Sequence, residues 1–212
     1  DHKAVGEGDT GPNTGGMGAY SPAPVVTEEI EAEIIETIIR PTLAAMKAEG
    51  APFKGVLYAG LMITKDGPKV LEYNCRFGDP ETQPQMMRMD SDLVEVIMAA
   101  IEENVLAVDI KWSPKPSGCV ILASGGYPLK YEKGQLIKGI KEAGAMPGIE
   151  IFHAGTKQED GQYYTNGGRV LGICSRGGTL AETMSRIYGA VSAIKFQGMH
   201  YRKDIGTMKE AL

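Results

Sequence analysis

The feature that most constrains the fold is a change of hydrophobic period in the first third of the chain. Between Thr27 and Gly50, apolar residues recur at helical spacing, which predicts a helix that Thr27 caps and Gly50 ends. The run KGVLYAGLMI that follows is nearly continuous and β-prone, and it leads through the turn signal Asp66-Gly67 into PKVLEYN. We therefore predict a β-hairpin with strands over about 54–64 and 68–75.

The second strand of this hairpin carries polar side chains at alternate positions. Alternation puts Glu72 and Asn74 on one side, where their oxygens suit one hard cation of the Mg²⁺ type. Because Mg²⁺ in proteins is usually shared with substrate phosphates, the implied ligand is a nucleoside triphosphate. If the chain stays extended, Arg76 joins this face with a guanidinium fork for a carboxylate or phosphoryl oxygen. The alternative is an exposed polar face on which Arg76 pairs with Glu72.

The turn after the hairpin carries Asp79, Pro80 and Glu81. Asp79 has the position of an N-cap and Pro80 that of a first helical residue, which predicts that a helix begins here. The free N–H groups of a helix N-terminus attract anions, and we expect them to point toward the same region as the polar strand.

A glycine-rich segment, TGPNTGGMGAYSP, lies inside a stretch, 6–24, that we predict to be a loop. Glycines let a backbone approach a ligand closely, and small polar side chains add hydrogen bonds. The candidate ligand-binding residues are Asn13, Thr14, Gly15, Gly16, Met17 and Gly18. The alternative is a flexible linker, although a solvated linker does not need apolar side chains such as those of Met17 and Ala19.

The second half of the chain has a different composition. SPKPSG, residues 113–118, reads as a domain boundary, which divides the chain into 1–112 and 113–212. Beyond it come short strands between glycine-rich turns and one helix near 179–194, capped by Thr179 and Glu182. We expect this part to close over the substrate. Two of its turns present Lys133 and Arg169, which are candidates for holding an anionic group; the alternative is that both are solvated turn charges.

Composition and charge exclude several classes of function. The net charge of −5 comes with scattered basic residues, which argues against a nucleic-acid partner. No apolar run is long enough to cross a bilayer, and no signal peptide opens the chain, so we expect a cytoplasmic protein without a membrane partner. The three cysteines are far apart and no histidine has a ligand at metal-binding spacing, which argues against disulfides and a structural metal site. The start, DHKAVGEG, lacks an initiator Met, and we interpret the chain as a piece of a larger protein.

Several motifs occur together in one order: GPNTGGMGAYSP, LEYNCRFGDPETQ, GGYP, HAGT and TNGGRVL. They resemble the C-terminal portion of the phosphoribosylamine-glycine ligase family, the glycinamide ribonucleotide synthetases of the ATP-grasp superfamily. The resemblance implies an α+β fold. Its first part is the C-terminal half of an ATP-grasp domain, an antiparallel sheet with helices, and a small β-rich C-terminal domain with one main helix follows.

The resemblance also implies an activity in de novo purine biosynthesis. An ATP-dependent carboxylate-amine ligase would join glycine to 5-phosphoribosylamine through glycyl phosphate, giving glycinamide ribonucleotide, ADP and phosphate. Mg²⁺ or Mn²⁺ would be held by Glu72 and Asn74, and Arg76 would neutralise charge on the transferred phosphoryl group. The segment from Arg76 to Glu81 and the glycine-rich loop would face the substrates.

Two departures from the family pattern bear on activity. The stretch LYAGLMI, where many ATP-grasp enzymes have another acid, contains none. The N-terminal part of the polypeptide, which would supply most ATP contacts, is an expected partner, and without it we expect the chain to be inactive. Two further hypotheses stay open: a non-catalytic fragment that binds a nucleotide or another anion, and an ATP-grasp carboxylate-amine ligase for other substrates.

Overall fold

The computed structural model describes residues 1–207 of the 212-residue chain. In chain order the strands are β1 Ala4–Gly6, β2 Thr10–Asn13, β3 Gly18–Ser21, β4 Tyr58–Thr64, β5 Gly67–Asn74, β6 Ser117–Ala123, β7 Leu136–Ile137, β8 Ile149–His153, β9 Thr156–Glu159, β10 Gln162–Thr165 and β11 Arg169–Arg176. The α-helices are α1 Glu28–Ile34, α2 Arg40–Ala48, α3 Thr82–Arg88, α4 Leu93–Ile101, α5 Ile140–Gly144 and α6 Leu180–Ala193. This α+β composition is the predicted fold class.

The chain forms two compact units, each built from separate stretches of sequence. The larger unit contains residues 1–21, 79–88 and the described part of 113–212, and the smaller unit contains 22–78 and 89–112. Residue 113 therefore begins a segment of the larger unit, which also takes in two stretches of the predicted first domain. The domain division at residue 113 stays a prediction.

The larger unit is built on an antiparallel sheet with the strand order β3-β6-β11-β8. Alternate residues of β6 point to opposite faces. Val120 and Leu122 join the core that contains Ile187 of α6, whereas Ile121 joins a smaller cluster with Met87 of α3. Helices cover both faces, so every residue of β6 is buried, which accounts for its unbroken apolar run.

The C-terminal helix and strands of the larger unit match their predicted positions. Thr179 caps α6, with its side chain accepting a hydrogen bond from the backbone N–H of Glu182 at 3.1 Å. The segments GCVILAS, EIFHAG and GGRVLGICS form β6, β8 and β11. A second, three-stranded sheet with the order β7-β10-β9 lies in the same unit.

The prediction that residues 6–24 form a loop was wrong. This stretch contains β2 and β3, and β3 pairs with β6 at the edge of the main sheet. Met17 and Ala19 are buried, so their apolar side chains belong to the core of the unit. A Cβ atom on Gly18 would lie 2.6 Å from the carbonyl oxygen of Cys119, so the first position of this strand requires a glycine.

The smaller unit contains the predicted hairpin, with β4 and β5 paired antiparallel. Thr27 caps the preceding helix by accepting from the backbone N–H of Ile30 at 3.3 Å. A π-helical turn, Ile35–Ile39, separates α1 from α2 just before Pro41, whose ring nitrogen has no N–H for the helical ladder. Gly50 follows α2 with a φ of 79°, as expected for the residue that ends a helix.

Among residues 1–207, no helix combines the length and the apolar character that crossing a membrane requires.

Candidate active site

The hairpin of the smaller unit places Glu72 and Asn74 two residues apart on one strand, with the pair of Tyr73 and Ala59 between them. Glu72 lies opposite Gly60 and Asn74 opposite Tyr58, and the irregularity in the pairing falls beyond Gly60, next to Leu61. No bulge interrupts the strand between Glu72 and Asn74, so alternation keeps both side chains on one face. Gly60 leaves room for the acid, since a Cβ there would lie 2.9 Å from Cγ of Glu72.

Arg76 lies beyond the end of β5, which stops at Asn74. Its side chain is exposed, and Nη1 donates to the carbonyl oxygen of Phe77 at 2.8 Å. The prediction that Arg76 shares the face of Glu72 required the chain to stay extended. Because the chain bends here, strand alternation does not extend to Arg76. Its catalytic role stays a prediction.

The donor atoms on this strand suit a hard divalent cation. Glu72 offers carboxylate oxygens and Asn74 an amide oxygen, which are ligands that Mg²⁺ and Mn²⁺ accept. Within residues 1–207, no group of three or more His, Cys, Asp or Glu side chains gathers as a metal cage. In proteins, Mg²⁺ commonly takes most of its ligands from substrate phosphates and water.

In the larger unit, the guanidinium of Arg169 joins three segments that are far apart in sequence. Nη1 donates to the carbonyl oxygens of Asp79 at 2.7 Å, Gly15 at 3.0 Å and Gly16 at 3.4 Å. Nη2 pairs with Oδ2 of Asp79 at 3.1 Å. The start of β11 thus ties the glycine-rich segment to the turn at Asp79, two regions that the sequence analysis selected separately.

The turn at Asp79 is not the predicted helix start. Helix α3 begins at Thr82, and the Asp79–Pro80 peptide bond is cis. Asp79 does not cap the helix because its carboxylate is engaged elsewhere: Oδ2 meets Arg169, and Oδ1 accepts from Nε2 of Gln83 at 3.1 Å. Pro80 and Glu81 complete the turn, with Pro80 buried. Their contact with substrate stays a prediction.

The glycine-rich segment is shaped by protein contacts. A Cβ on Gly15 would lie 3.0 Å from Cζ of Arg169, and a Cβ on Gly16 would overlap the ring of Pro80. Gly16 also has a φ of 119°, which residues with a Cβ rarely adopt. Thr14 accepts from the backbone N–H of Gly16 at 2.9 Å through its hydroxyl. These glycines therefore allow other parts of the protein, Arg169 and Pro80, to lie close to the backbone of the segment.

The remaining predicted residues lie in different surroundings. Asn13 is exposed at the end of β2, whereas Met17 is fully buried. Gly18 is buried in β3. Lys133 is exposed, and no hydrogen bond or ion pair within residues 1–207 links it to Arg169. Substrate binding by these four residues stays a prediction.

Sequence reasoning missed Tyr127. Its hydroxyl oxygen accepts a hydrogen bond from the backbone N–H of Gly15 at 3.0 Å, which places it beside the Arg169 group. The signal was the motif GGYP, in which an aromatic residue interrupts a Gly/Pro turn that does not by itself need one.

Comparison with known families assigns this architecture to the ATP-grasp class. Residues 1–82 match the model described as the phosphoribosylglycinamide synthetase ATP-grasp (A) domain, which includes the hairpin with Glu72 and Asn74. Residues 117–208 match the C domain of the same synthetase, which includes Tyr127 and Arg169. The chain belongs to the phosphoribosylglycinamide synthetase family, as the resemblance of its motifs implied.

Individual relatives agree with this assignment. The chain is 56% identical over 207 residues to a phosphoribosylamine–glycine ligase of Vibrio parahaemolyticus, covering 97% of this chain and 48% of the relative. It is 53% identical over 202 residues to one of Vigna unguiculata, covering 93% and 65%. The crystal structure of phosphoribosylamine–glycine ligase from Thermotoga maritima superposes with a TM-score of 0.83 at 35% identity, covering 96% of this chain and 50% of that one. The chain thus spans about half the length of most of these relatives.

Proposed function

We propose that the natural polypeptide containing this chain, called the parent polypeptide below, ligates glycine to 5-phosphoribosylamine at the expense of ATP. The products are glycinamide ribonucleotide, ADP and phosphate, and we expect the reaction to run in the cytoplasm. The observation that carries the proposal is that the two domain matches of one synthetase family follow each other in order along this chain. They include the segments that hold Glu72 and Arg169.

The reaction consists of two displacements. A carboxylate is a poor acyl electrophile, so a carboxylate oxygen of glycine first attacks the γ-phosphorus of ATP, and ADP leaves. The amine nitrogen of 5-phosphoribosylamine then attacks the carbonyl carbon of glycyl phosphate, phosphate leaves and the nitrogen loses a proton. Both steps concentrate negative charge on phosphoryl oxygens, so fixed positive charge accelerates them.

Glu72 and Asn74 would hold a divalent cation, Mg²⁺ or Mn²⁺, through a carboxylate and an amide oxygen. When bound, the metal supplies Lewis-acid stabilisation of the phosphate oxygens. Arg76 would contribute a second fixed positive charge from the residues that follow the strand. Its guanidinium suits this role because it is planar and presents several N–H donors to phosphoryl oxygens.

Arg169 has hydrogen-bonding capacity left for a substrate anion. Its contacts with Gly15, Gly16 and Asp79 are made by Nη1 and Nη2. Within residues 1–207, Nε has no hydrogen-bond partner. Nε is thus an available donor for a phosphate oxygen, and we assign Arg169 to the 5-phosphate of phosphoribosylamine. Lys133 is a second candidate cation for the same anion.

The smaller unit also has an exposed apolar surface of the kind that usually contacts another protein or domain. On α4, Val94, Ile97, Met98 and Ile101 recur at helical spacing and are exposed, with 65% of Val94 and 61% of Ile101 accessible. Leu106, shortly after the helix, is 99% exposed. Contiguous exposed apolar patches usually mark interfaces. We propose that this surface contacts a part of the parent polypeptide outside this chain, because a relative of Vibrio parahaemolyticus is about twice as long as this chain.

The metal assignment is tested by Glu72→Gln in the parent polypeptide. This substitution keeps the size of the side chain and removes the charge. We expect Mn²⁺ affinity in the presence of ATP to fall about ten- to a hundredfold, the value of one charge-assisted contact. Mn²⁺ binding can be followed by electron paramagnetic resonance, and ligation can be assayed at limiting Mg²⁺.

The matched control is Glu31→Gln, an exposed acid of α1 in the same unit, which should leave both quantities unchanged. Equal Mn²⁺ affinity in Glu72→Gln and the unsubstituted protein would reject the ligand assignment. A parent polypeptide that binds Mn²⁺ and ATP but turns over no substrate would favour a non-catalytic binding module, and turnover with a different carboxylate would favour another ligase.

A further inference from the structure

Residue Gly15 is held at both of its backbone polar groups by side chains from the C-terminal half of the larger unit. Its N–H donates to the hydroxyl oxygen of Tyr127 at 3.0 Å. Its carbonyl oxygen accepts from Nη1 of Arg169 at 3.0 Å. The two contacts come from residues 112 and 154 positions away in sequence, so local turn chemistry does not produce them.

Tyr127 is oriented by its ring as well as by its hydroxyl. A Cβ on Gly168 would overlap Cδ2 of Tyr127, so the ring lies directly on the backbone of Gly168. The ring of Tyr131 packs against it edge-on, with centroids 6.2 Å apart at an angle of 64°. These two contacts fix the plane of the ring, and removing the hydroxyl would leave them in place.

A segment such as Gly15-Gly16 needs external support to keep one conformation. Glycine has more backbone conformations to lose on ordering than any other residue. Thr14 restrains Gly16 through its hydroxyl, and Pro80 limits the space around Gly16. Gly15 is exposed, and within residues 1–207 its polar contacts are those with Tyr127 and Arg169.

We infer that Tyr127 is a positioning residue: its hydroxyl holds Gly15 so that the glycine-rich segment is ordered before substrate binds. The inference rests on the proposed function for the part that concerns substrate. Arg169 holds the same residue but also carries the charge assigned to the sugar phosphate. A substitution at Tyr127 therefore tests positioning without removing a charge, whereas a substitution at Arg169 would change both.

The test is Tyr127→Phe in the parent polypeptide, with Tyr131→Phe as its control. Tyr131 is the ring partner of Tyr127, and residues 1–207 offer its hydroxyl no hydrogen-bond partner. Two quantities are measured: amide hydrogen exchange at Gly15, and kcat and KM for each substrate. In Tyr127→Phe we expect exchange at Gly15 to rise roughly three- to tenfold, the value of one hydrogen bond. We expect KM to rise by a similar factor for a substrate that contacts the segment, with kcat within about twofold.

Each result decides a separate point. Unchanged exchange at Gly15 in Tyr127→Phe would overturn the inference, as would equal effects of Tyr131→Phe. Faster exchange with unchanged KM values would show that the hydrogen bond is structural only, which also overturns the positioning role. If the unsubstituted polypeptide shows no ligation while Gly15 remains protected, the proposed function fails and the substrate part of the inference fails with it. The hydrogen bond from Gly15 to Tyr127 would still stand in that case.

Discussion

Gly16 is the residue at which backbone conformation and packing constrain the glycine-rich segment most tightly. Its φ of 119° lies where side chains are disfavoured, and the ring of Pro80 occupies the position that a Cβ would take. The sequence predicted that these glycines matter, because glycine lets a backbone approach another group closely. It assigned their purpose to a ligand, however, since neither Pro80 nor Arg169 is near them in sequence.

We predict that Gly16→Ala destabilises the larger unit more than a substitution of a glycine that has a positive φ but no close neighbour. The control is Gly134→Ala, at a φ of 82° with no heavy atom within 4 Å of the new methyl group. The control should lose about 1 kcal/mol, and Gly16→Ala about 1–3 kcal/mol more, because Pro80 or the segment must move. Urea unfolding followed by circular dichroism measures both, and equal losses would show that the contact with Pro80 is not restrictive.

At the scale of elements, a buried charge network ties the first strand of the larger unit to its last described segment. The guanidinium of Arg202 is fully buried and donates to Oδ1 of Asp9 at 2.8 Å, to both oxygens of Asp204 at 2.8 and 2.7 Å, and to the carbonyl oxygen of Ala4. These hydrogen bonds hold the pKa of Asp204 at about 2, below its usual 3.8. A buried cation with several acceptors is stabilising only while the acceptors stay ionised.

The lowered pKa of Asp204 predicts a specific acid sensitivity. As the pH falls below about 4, the unfolded chain binds a proton at this position before the folded chain does. The contribution of Asp204 is therefore complete above pH 4 and is lost as the pH falls toward 2, a change of about 2 kcal/mol. The free energy of unfolding in urea, measured at pH 5 and at pH 2.5, should fall less between these pH values in Asp204→Asn than in the unsubstituted chain.

The control for this pH dependence is Glu159→Gln, which removes an exposed ion pair with Lys157. It should leave the change in the free energy of unfolding between pH 5 and pH 2.5 nearly the same as in the unsubstituted chain. If Asp204→Asn and the unsubstituted chain lose the same stability between pH 5 and pH 2.5, the network does not set the pKa of Asp204.

At the scale of elements, local sequence patterns predicted some helices and strands correctly and missed others. Helix caps at Thr27 and Thr179 and strands β6, β8 and β11 of the main sheet were predicted correctly because capping and apolar runs are local signals. Strand β3 was missed because its pairing depends on β6, about a hundred residues later in the chain. The partners of Arg169 were missed for the same reason, since they lie 90 or more positions away.

At the scale of the whole molecule, the two units differ in how much apolar surface they bury. The buried clusters lie in the larger unit, whereas the smaller unit contributes only Ile38 and Ala99 to the buried hydrophobic residues of 1–207. Among the same residues, the exposed large hydrophobic side chains lie in the smaller unit, apart from Leu129 and Phe152. The smaller unit by itself therefore has little apolar burial to offset the entropy of folding.

We predict that the smaller unit of this 212-residue chain unfolds at a lower urea concentration than the larger unit. Trp112 is the only tryptophan and belongs to the smaller unit, so its fluorescence reports that unit alone. Far-UV circular dichroism is expected to show its main transition later, when the larger unit unfolds. Coincident transitions would mean that burial within the smaller unit is not what limits its stability.

The most direct test of the proposed function is ADP formation by the parent polypeptide with each substrate supplied or left out. We expect ADP to appear at a substantial rate only when ATP, a divalent metal, glycine and 5-phosphoribosylamine are all present. The proposed function also predicts one glycinamide ribonucleotide for each ADP. ATP turnover that is indifferent to glycine and to 5-phosphoribosylamine, or ATP binding without any turnover, would contradict the function proposed for the parent polypeptide.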